Sequence, residues 1–405
     1  MKIALRIMSF CHYLQGPAAT QYLADMGADV IKIEPLGGAF ERHWSGGNSY
    51  IDGISAFLLS ANRNKRSLAI DLKNPQARPV MERLIAGADA VVENFRPGVL
   101  DRLGYGYDAV RRLKPDIIYA SATGLGADGP DCARPGQDLL MQARSGIIAA
   151  TGSTEAGPTI VGAAIVDQHG ASILAMGVLA AYVRKLQTGE GTRVEASLFQ
   201  AGIDLQTEAL TKYFARQVEG DVMRRGRHVG SWYHHAPYGS YPLRDCHIVL
   251  SMNNPNNLAQ ALDSDILHSL SGLDRYAERE RYATAVAAEL AGHFFASLAP
   301  KLDAHGIWFE RVQNYDDLAQ DRQAKHLGAF TSYALGEHEV RLVSHPLRYD
   351  GAATEIHTMP LLPGCDTRAI LTEVGFPNDE IDRLAGEGVI LDQPLQNSPK
   401  MKVCS

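Results

Sequence analysis

Short β-rich runs alternate with helical stretches through the N-terminal half of this chain, and that alternation limits its fold more than any other feature. Residues 3–8 have strand character, 17–27 form a helical stretch with proline near its first turn and glycine at its end, and 29–33 are again a strand. The pattern continues with 67–72 (strand), 75–85 (helix), 90–93 (strand), 107–113 (helix) and 117–122 (strand). Repeated βαβ units of this kind require a largely parallel sheet covered by helices, a Rossmann-like α/β fold.

Further on, apolar residues recur at helical spacing over 173–186, from Ile173 to Val183, with Arg184 and Lys185 in the last turn. A strand at 192–196 feeds another helix through Tyr213. The Arg- and Gly-rich stretch 220–230 loses apolar periodicity and reads as a linker. Strands at 239–242 and 247–252 follow, then helical stretches at 257–270, 277–295 and 303–306. From about Arg341 short strands return, with a closing helix at 379–384, and residues 394–405 are expected to fray. A chain of 405 residues exceeds one ordinary core. The expected division is therefore 1–219 as the first part of a large domain, 220–230 as linker, 231–335 as a small α+β domain, and 336–405 as a return segment that completes the large domain.

A formal charge of −7 argues against a nucleic-acid-binding surface, which needs clustered Lys and Arg in excess. The five scattered cysteines contain no C-x-x-C pair and fit neither a disulfide framework nor a zinc site. The first residues lack the apolar core of a signal peptide, and no segment has the roughly 18 apolar residues of a membrane span. A cytoplasmic protein that contacts no membrane is the expectation.

Several local patterns bear on chemistry. Gly124-Leu125-Gly126-Ala127-Asp128-Gly129 matches G-x-G-x-x-G after a strand, but Pro130 and Pro135 prevent the helix that a dinucleotide site requires. The expectation is a ligand-facing loop. Arg63-Asn64-Lys65-Arg66 is either a solvated turn or a phosphate clamp. Asn94-Phe95-Arg96 ends another strand, where Phe95 either packs or stacks on an adenine while Arg96 meets a phosphate. The histidines at 228, 234 and 235 fit no compact zinc pattern, and no G-x-S-x-G elbow is present. Asp167, placed just ahead of the long apolar helix, is by itself an ordinary helix-terminal carboxylate.

The order and spacing of a larger set carry more. It comprises Gly16-Pro17, the 27–35 segment Gly-Ala-Asp-Val-Ile-Lys-Ile-Glu-Pro, Asn64-Lys65-Arg66-Ser67 with Asp71-Leu72, and Glu93-Asn94-Phe95-Arg96-Pro97-Gly98. Leu103-Gly104-Tyr105, Ala120-Ser121 with Gly124 and Gly126, Asp138 with Ser145-Gly146, Asp167, Gly189-Glu190-Gly191 and Ala236-Pro237-Tyr238-Gly239 follow. Across nearly the whole chain this set resembles the class III CoA-transferase family, which also contains the 2-methylacyl-CoA racemases. The resemblance implies an interlocked homodimer whose N-terminal α/β half binds CoA, with Arg63, Lys65, Arg66, Asn94, Phe95, Arg96, Gly124 and Gly126 as contacts. It implies Asp167 as nucleophile, with no metal and no permanently bound cofactor; coenzyme A and acyl-CoA enter as substrates.

The implied reaction moves CoA from an acyl-CoA thioester to a carboxylic acid through aspartyl-anhydride and aspartyl-CoA thioester intermediates. His12, Gln15, Gln137, Arg144, His169, His234 and His235 are the expected lining of the acyl pocket, and a donor-rich lining suits a dicarboxylate such as succinate or a C5 diacid. Racemases of this family carry a histidine in a Gly-His-Asp segment, where this chain has Gly136-Gln137-Asp138, and glutamine cannot exchange a proton near neutral pH. The Ser251–Pro255 segment takes the place of the family's closing loop without its glycine run. Formyl-CoA transferases carry a glutamine where Leu14 stands here, with Gln15 one position on. A 2-methylacyl-CoA racemase or epimerase and a CoA-binding protein without turnover are the alternatives.

Overall fold

A computed structural model describes residues 3–216 and 223–392; the first residues of the expected linker and the tail expected to fray lie outside the described residues. The chain divides into two compact units. Unit 1 comprises 1–141, 164–205 and 322–405, and unit 2 comprises 142–163 and 206–321.

Unit 1 is built on the strands β1 (Arg6–Phe10), β2 (Asp29–Glu34), β3 (Lys65–Ile70), β4 (Ala90–Glu93), β5 (Ile118–Thr123) and β6 (Thr192–Ser197). They run parallel in the order β3-β2-β1-β4-β5-β6, and Ile390–Leu391 adds an antiparallel edge beside β3. This is the doubly wound order, in which the chain reverses its direction of travel across the sheet between β1 and β4. The strands are nearly continuous buried apolar runs because both faces are covered. One face packs on α1 (Gln15–Asp25) and on the long helix Ile165–Thr188, through Leu23, Ala171, Leu174 and Val178. The other packs on α2 (Ala77–Ala86), on α3 (Tyr107–Leu113) and on the closing helices of the chain, through Val80, Leu84, Val110, Ile370 and Ile381.

Several strands and helices start or end a few residues away from their expected places. The long helix begins at Ile165, eight residues before the apolar periodicity, so Asp167 stands inside its first turn and not ahead of it. The expected helix at 257–270 is two, Pro255–Leu262 and Asp265–Leu270, separated where Asp263 adopts a left-handed conformation and Ser264 caps the second. A hairpin of Phe330–Leu335 and His338–Val343 falls in unit 1, whereas a boundary at 335 cuts it in two.

Unit 2 holds a three-stranded antiparallel sheet of Gly239–Pro242, His247–Leu250 and Phe309–Arg311. The helices Pro255–Leu262, Arg279–Leu290 and Phe295–Ala304 cover it around Tyr241, Ile248, Leu258, Tyr282 and Leu298.

Candidate active site

In an open sheet of this order, ligands bind at the carboxyl ends of the strands where the order reverses. That place lies after β1 and β4, and it brings together the loop Cys11–Gln15 and the segment Asn94–Arg96. Asn94 joins the two: its Oδ1 accepts from His12 N at 2.9 Å and its Nδ2 donates to His12 O at 2.8 Å. The His12 and Phe95 rings lie 4.9 Å apart, and Arg96 is exposed beside them. Gly16 permits the close approach, since a Cβ there would lie 2.7 Å from Cys11 Sγ and 3.0 Å from Asn94 Cγ.

Two buried nitrogens of this loop, His12 Nδ1 and Gln15 Nε2, have no hydrogen-bond partner in the protein. Burial also holds the His12 imidazole below its usual pKa. Gln15 Nε2 sits over Gly170 of the long helix, 2.7 Å from where a Cβ would stand, one turn beyond Asp167.

Asp167 is shaped by a neighbour distant in sequence. Helix α4 (Asp138–Arg144) starts with Asp138, whose Oδ1 accepts from Val166 N at 2.8 Å and Asp167 N at 3.1 Å. Asp138 thereby caps the long helix, here α5 (Ile165–Thr188), whose own Ala164 has no capping side chain. The backbone donors that would keep a first-turn carboxylate ionised are occupied. Burial first, and the charge of Asp138 second, push the Asp167 carboxyl up to about 7.

Glycine brings Asp138 to this position. A Cβ on Gly124 would lie 2.5 Å from Gly136 Cα, and one on Gly136 would lie 2.3 Å from Gly124 Cα, so the two backbones touch where only glycine fits. Gly126, at φ 108°, turns the loop and donates its N–H to Thr123 Oγ1 at 3.0 Å. No helix occurs between 124 and 137.

The basic run 63–66 is placed differently from an exposed clamp. Arg63 is 4% exposed and grips Asp25, with Nη2 to Oδ2 at 2.7 Å. Lys65 is 1% exposed, and Arg66 pairs with Asp29 and Glu373. Strand alternation alone does not reveal this, because a cation just before a strand reads as solvated unless its buried partner is known.

His169 is displaced from the nucleophile. Two residues after Asp167 on a helix, it faces another side and pairs through Nε2 with Asp204 Oδ2 at 2.7 Å. Gln137 is exposed beside Asp138.

Arg144, His234 and His235 belong to unit 2. There His234 Nδ1 and Ser231 Oγ lie 2.6 Å apart, and the His234 ring stacks on Tyr238 at 4.0 Å. The Ser251–Pro255 segment is tied down. Asn253 Oδ1 accepts from Trp308 N at 2.7 Å, Asn253 Nδ2 donates to Trp308 O at 3.1 Å, and Arg275 Nη1 donates to Asn253 O at 2.9 Å.

Glu93, noticed in sequence only as part of a motif, is buried at the end of β4 and accepts from Phe95 N at 2.9 Å. Burial pushes its carboxyl up to about 7. Among the described residues, no group of three or more His, Cys, Asp or Glu side chains could hold a metal ion, and no helix is long and apolar enough to cross a membrane.

Residues 4–367 match the profile of CoA-transferase family III. A succinyl-CoA:glutarate CoA-transferase of Mus musculus is 30% identical over 95% of this chain and 89% of its own. An acyl-CoA transferase of Fusarium pseudograminearum is 30% identical over 95% of this chain and 87% of its own. The crystal structure of a CAIB/BAIF family protein from Brucella suis superposes with a TM-score of 0.78 at 26% identity, covering 91% of this chain and 98% of that one. With the doubly wound sheet and the carboxylate pair at Asp167, these likenesses lead to one conclusion: the chain belongs to CoA-transferase family III and is a CoA-transferase.

Proposed function

We propose that this enzyme transfers CoA from a thioester such as succinyl-CoA to a dicarboxylic acid, with Asp167 as the covalent carrier. The observation that carries the reading is the placement of Asp167 in the first turn of α5, half-buried, with its carboxyl pushed up to about 7 beside Asp138. A carboxylate with a raised pKa is a stronger nucleophile once ionised, and near neutral pH a substantial fraction is ionised.

The steps balance without a cofactor. An Asp167 oxygen attacks the thioester carbonyl, the C–S bond breaks, and CoA leaves as thiolate, giving an aspartyl-acyl anhydride. The thiolate attacks the aspartyl carbonyl and releases the donor acid, leaving Asp167 as a CoA thioester. The acceptor carboxylate attacks that carbonyl and expels the thiolate, which then takes the acyl group from the second anhydride and restores Asp167. Each tetrahedral intermediate needs donors, each worth on the order of 3 kcal/mol. Gln15 Nε2, unpartnered near the same helix face, is suited to serve as one.

The acceptor class is supported by the glutarate in the name of the mouse relative. A homodimer suits the apolar residues that α5 leaves uncovered: Met176, Val183 and Leu186 are 63%, 52% and 68% exposed, close to one face of the helix. A reducing cytoplasm suits the free thiols of Cys11, Cys132, Cys246 and Cys365.

Purified enzyme incubated with succinyl-CoA and a panel of acids tests the reading. Exchange with C5 diacids such as glutarate is expected. Deuterium entering the α-carbon of a 2-methylacyl-CoA from solvent, without CoA exchange, would instead support a racemase.

A further inference from the structure

Two lysines lie under the reaction site, inside the sheet, and the chemistry of transfer does not use them. Lys65 and Lys32 are each 1% exposed. Lys65 Nζ donates to Pro17 O at 2.8 Å, Ala61 O at 2.8 Å and Asn62 Oδ1 at 3.1 Å. Lys32 Nζ donates to Cys11 O at 3.1 Å and pairs with Glu41 Oε1 at 2.5 Å. Their targets Cys11 and Pro17 flank the residues His12 to Gly16, Cys11 at the start of the loop and Pro17 in the first turn of α1.

That loop has unfavourable features that call for such support. Tyr13 stands at φ 60°, a left-handed conformation that is unfavourable for a bulky residue. Gln15 Nε2 is buried without a partner, which leaves the desolvation of its N–H groups uncompensated. Without such support, both would relax, the Gln15 side chain turning toward solvent and Tyr13 returning to ordinary backbone. We propose that Lys65 and Lys32 are positioning residues for CoA transfer, which hold the segment Cys11–Pro17, a loop and the first turn of α1, by its two flanking carbonyls and keep Gln15 directed at α5.

Three acceptors around Lys65 Nζ match the three N–H groups of an ammonium and one more than a neutral amine can supply. Burial, and the charge of Lys32, hold Lys65 well below the ordinary lysine pKa. The other groups that act on it are Cys11, whose thiol burial pushes up to about 11, and the carboxylates of Glu41 and Asp25. The sign is therefore set: the support is complete at low pH, and one of the three ties is lost as pH rises through the depressed lysine pKa.

The inference builds on the proposed role of Asp167, but its readout does not depend on that reaction, so the two can fail separately. Hydrogen exchange followed by mass spectrometry on full-length Lys65→Met should show the peptide spanning 11–17 exchanging at least about tenfold faster, with 90–93 unchanged. CoA exchange should fall by a similar factor in kcat, with a smaller change in KM. A folded variant with wild-type exchange over 11–17 would overturn the proposal. Should Lys65→Met not fold, the wild type supplies the test. Across the pH range in which the protein stays folded, exchange over 11–17 normalised to 90–93 should rise with pH. A flat ratio would contradict the positioning role.

Discussion

At the scale of single residues, Asp167 and Asp138 divide two tasks that one aspartate could not perform together. Asp138 takes the helix N–H groups, and Asp167 is left desolvated and reactive. If ionised Asp167 attacks the thioester, kcat/KM should rise with pH along a limb centred near 7. Asp138→Asn keeps an oxygen to cap α5 but removes the charge, so the limb should move to lower pH, and a pH–rate profile checks it. Asp138→Ala also removes the cap and should cost about 1 kcal/mol in denaturant unfolding. The linkage has a definite sign. Because the folded state holds the Asp167 proton more tightly than the unfolded chain, the stability it contributes is full below the ordinary carboxylate pKa and is lost as pH rises through about 7. Asp167→Asn should therefore melt above wild type at about pH 8 and lose that advantage by about pH 4, while exchange activity falls by a factor on the order of 10³ or more.

At the scale of elements, the site depends on a contact between two loops. Gly124 follows β5 and Gly136 precedes α4, and their backbones meet so that Asp138 reaches the start of α5. Gly136→Ala should cost about 1–3 kcal/mol and lower activity beyond what the lost stability explains, because the overlap is with backbone and cannot be relieved by a rotamer. Calorimetry beside an activity assay separates the two effects. Much of this level was legible in sequence. The βαβ alternation, the strand at Ala90–Glu93 and the helix at Tyr107–Leu113 follow from hydrophobic period and turn residues, which are local signals. The start of α5 was not legible, because its cap lies 28 residues upstream of the N–H it receives. Nor was the inward turn of Arg63 and Lys65, since their partners Asp25, Pro17 and Ala61 become neighbours only once the chain has folded.

At the scale of the molecule, unit 2 is assembled from two separated stretches, 142–163 and 206–321. Periodicity does not show that the first stretch belongs there. Its ties are long-range: Arg225 Nη2 donates to Ala150 O at 2.6 Å and Gln206 Nε2 to Ser145 O at 2.9 Å. Within unit 2 the Ser251–Pro255 segment is held by Asn253 and Arg275, so its amides should stay protected from exchange with and without CoA; exposure only in the free enzyme would restore a gating role. The apolar face of α5 makes a separate prediction. A Val183→Glu substitution should shift sedimentation toward a monomer if that face is covered by a second copy.

The most direct test concerns Asp167 itself. Enzyme incubated with an acyl-CoA, trapped with hydroxylamine or borohydride and digested should yield a modified peptide containing Asp167, absent from Asp167→Asn. An unmodified Asp167 peptide in enzyme that exchanges CoA at full rate would contradict covalent transfer through this residue.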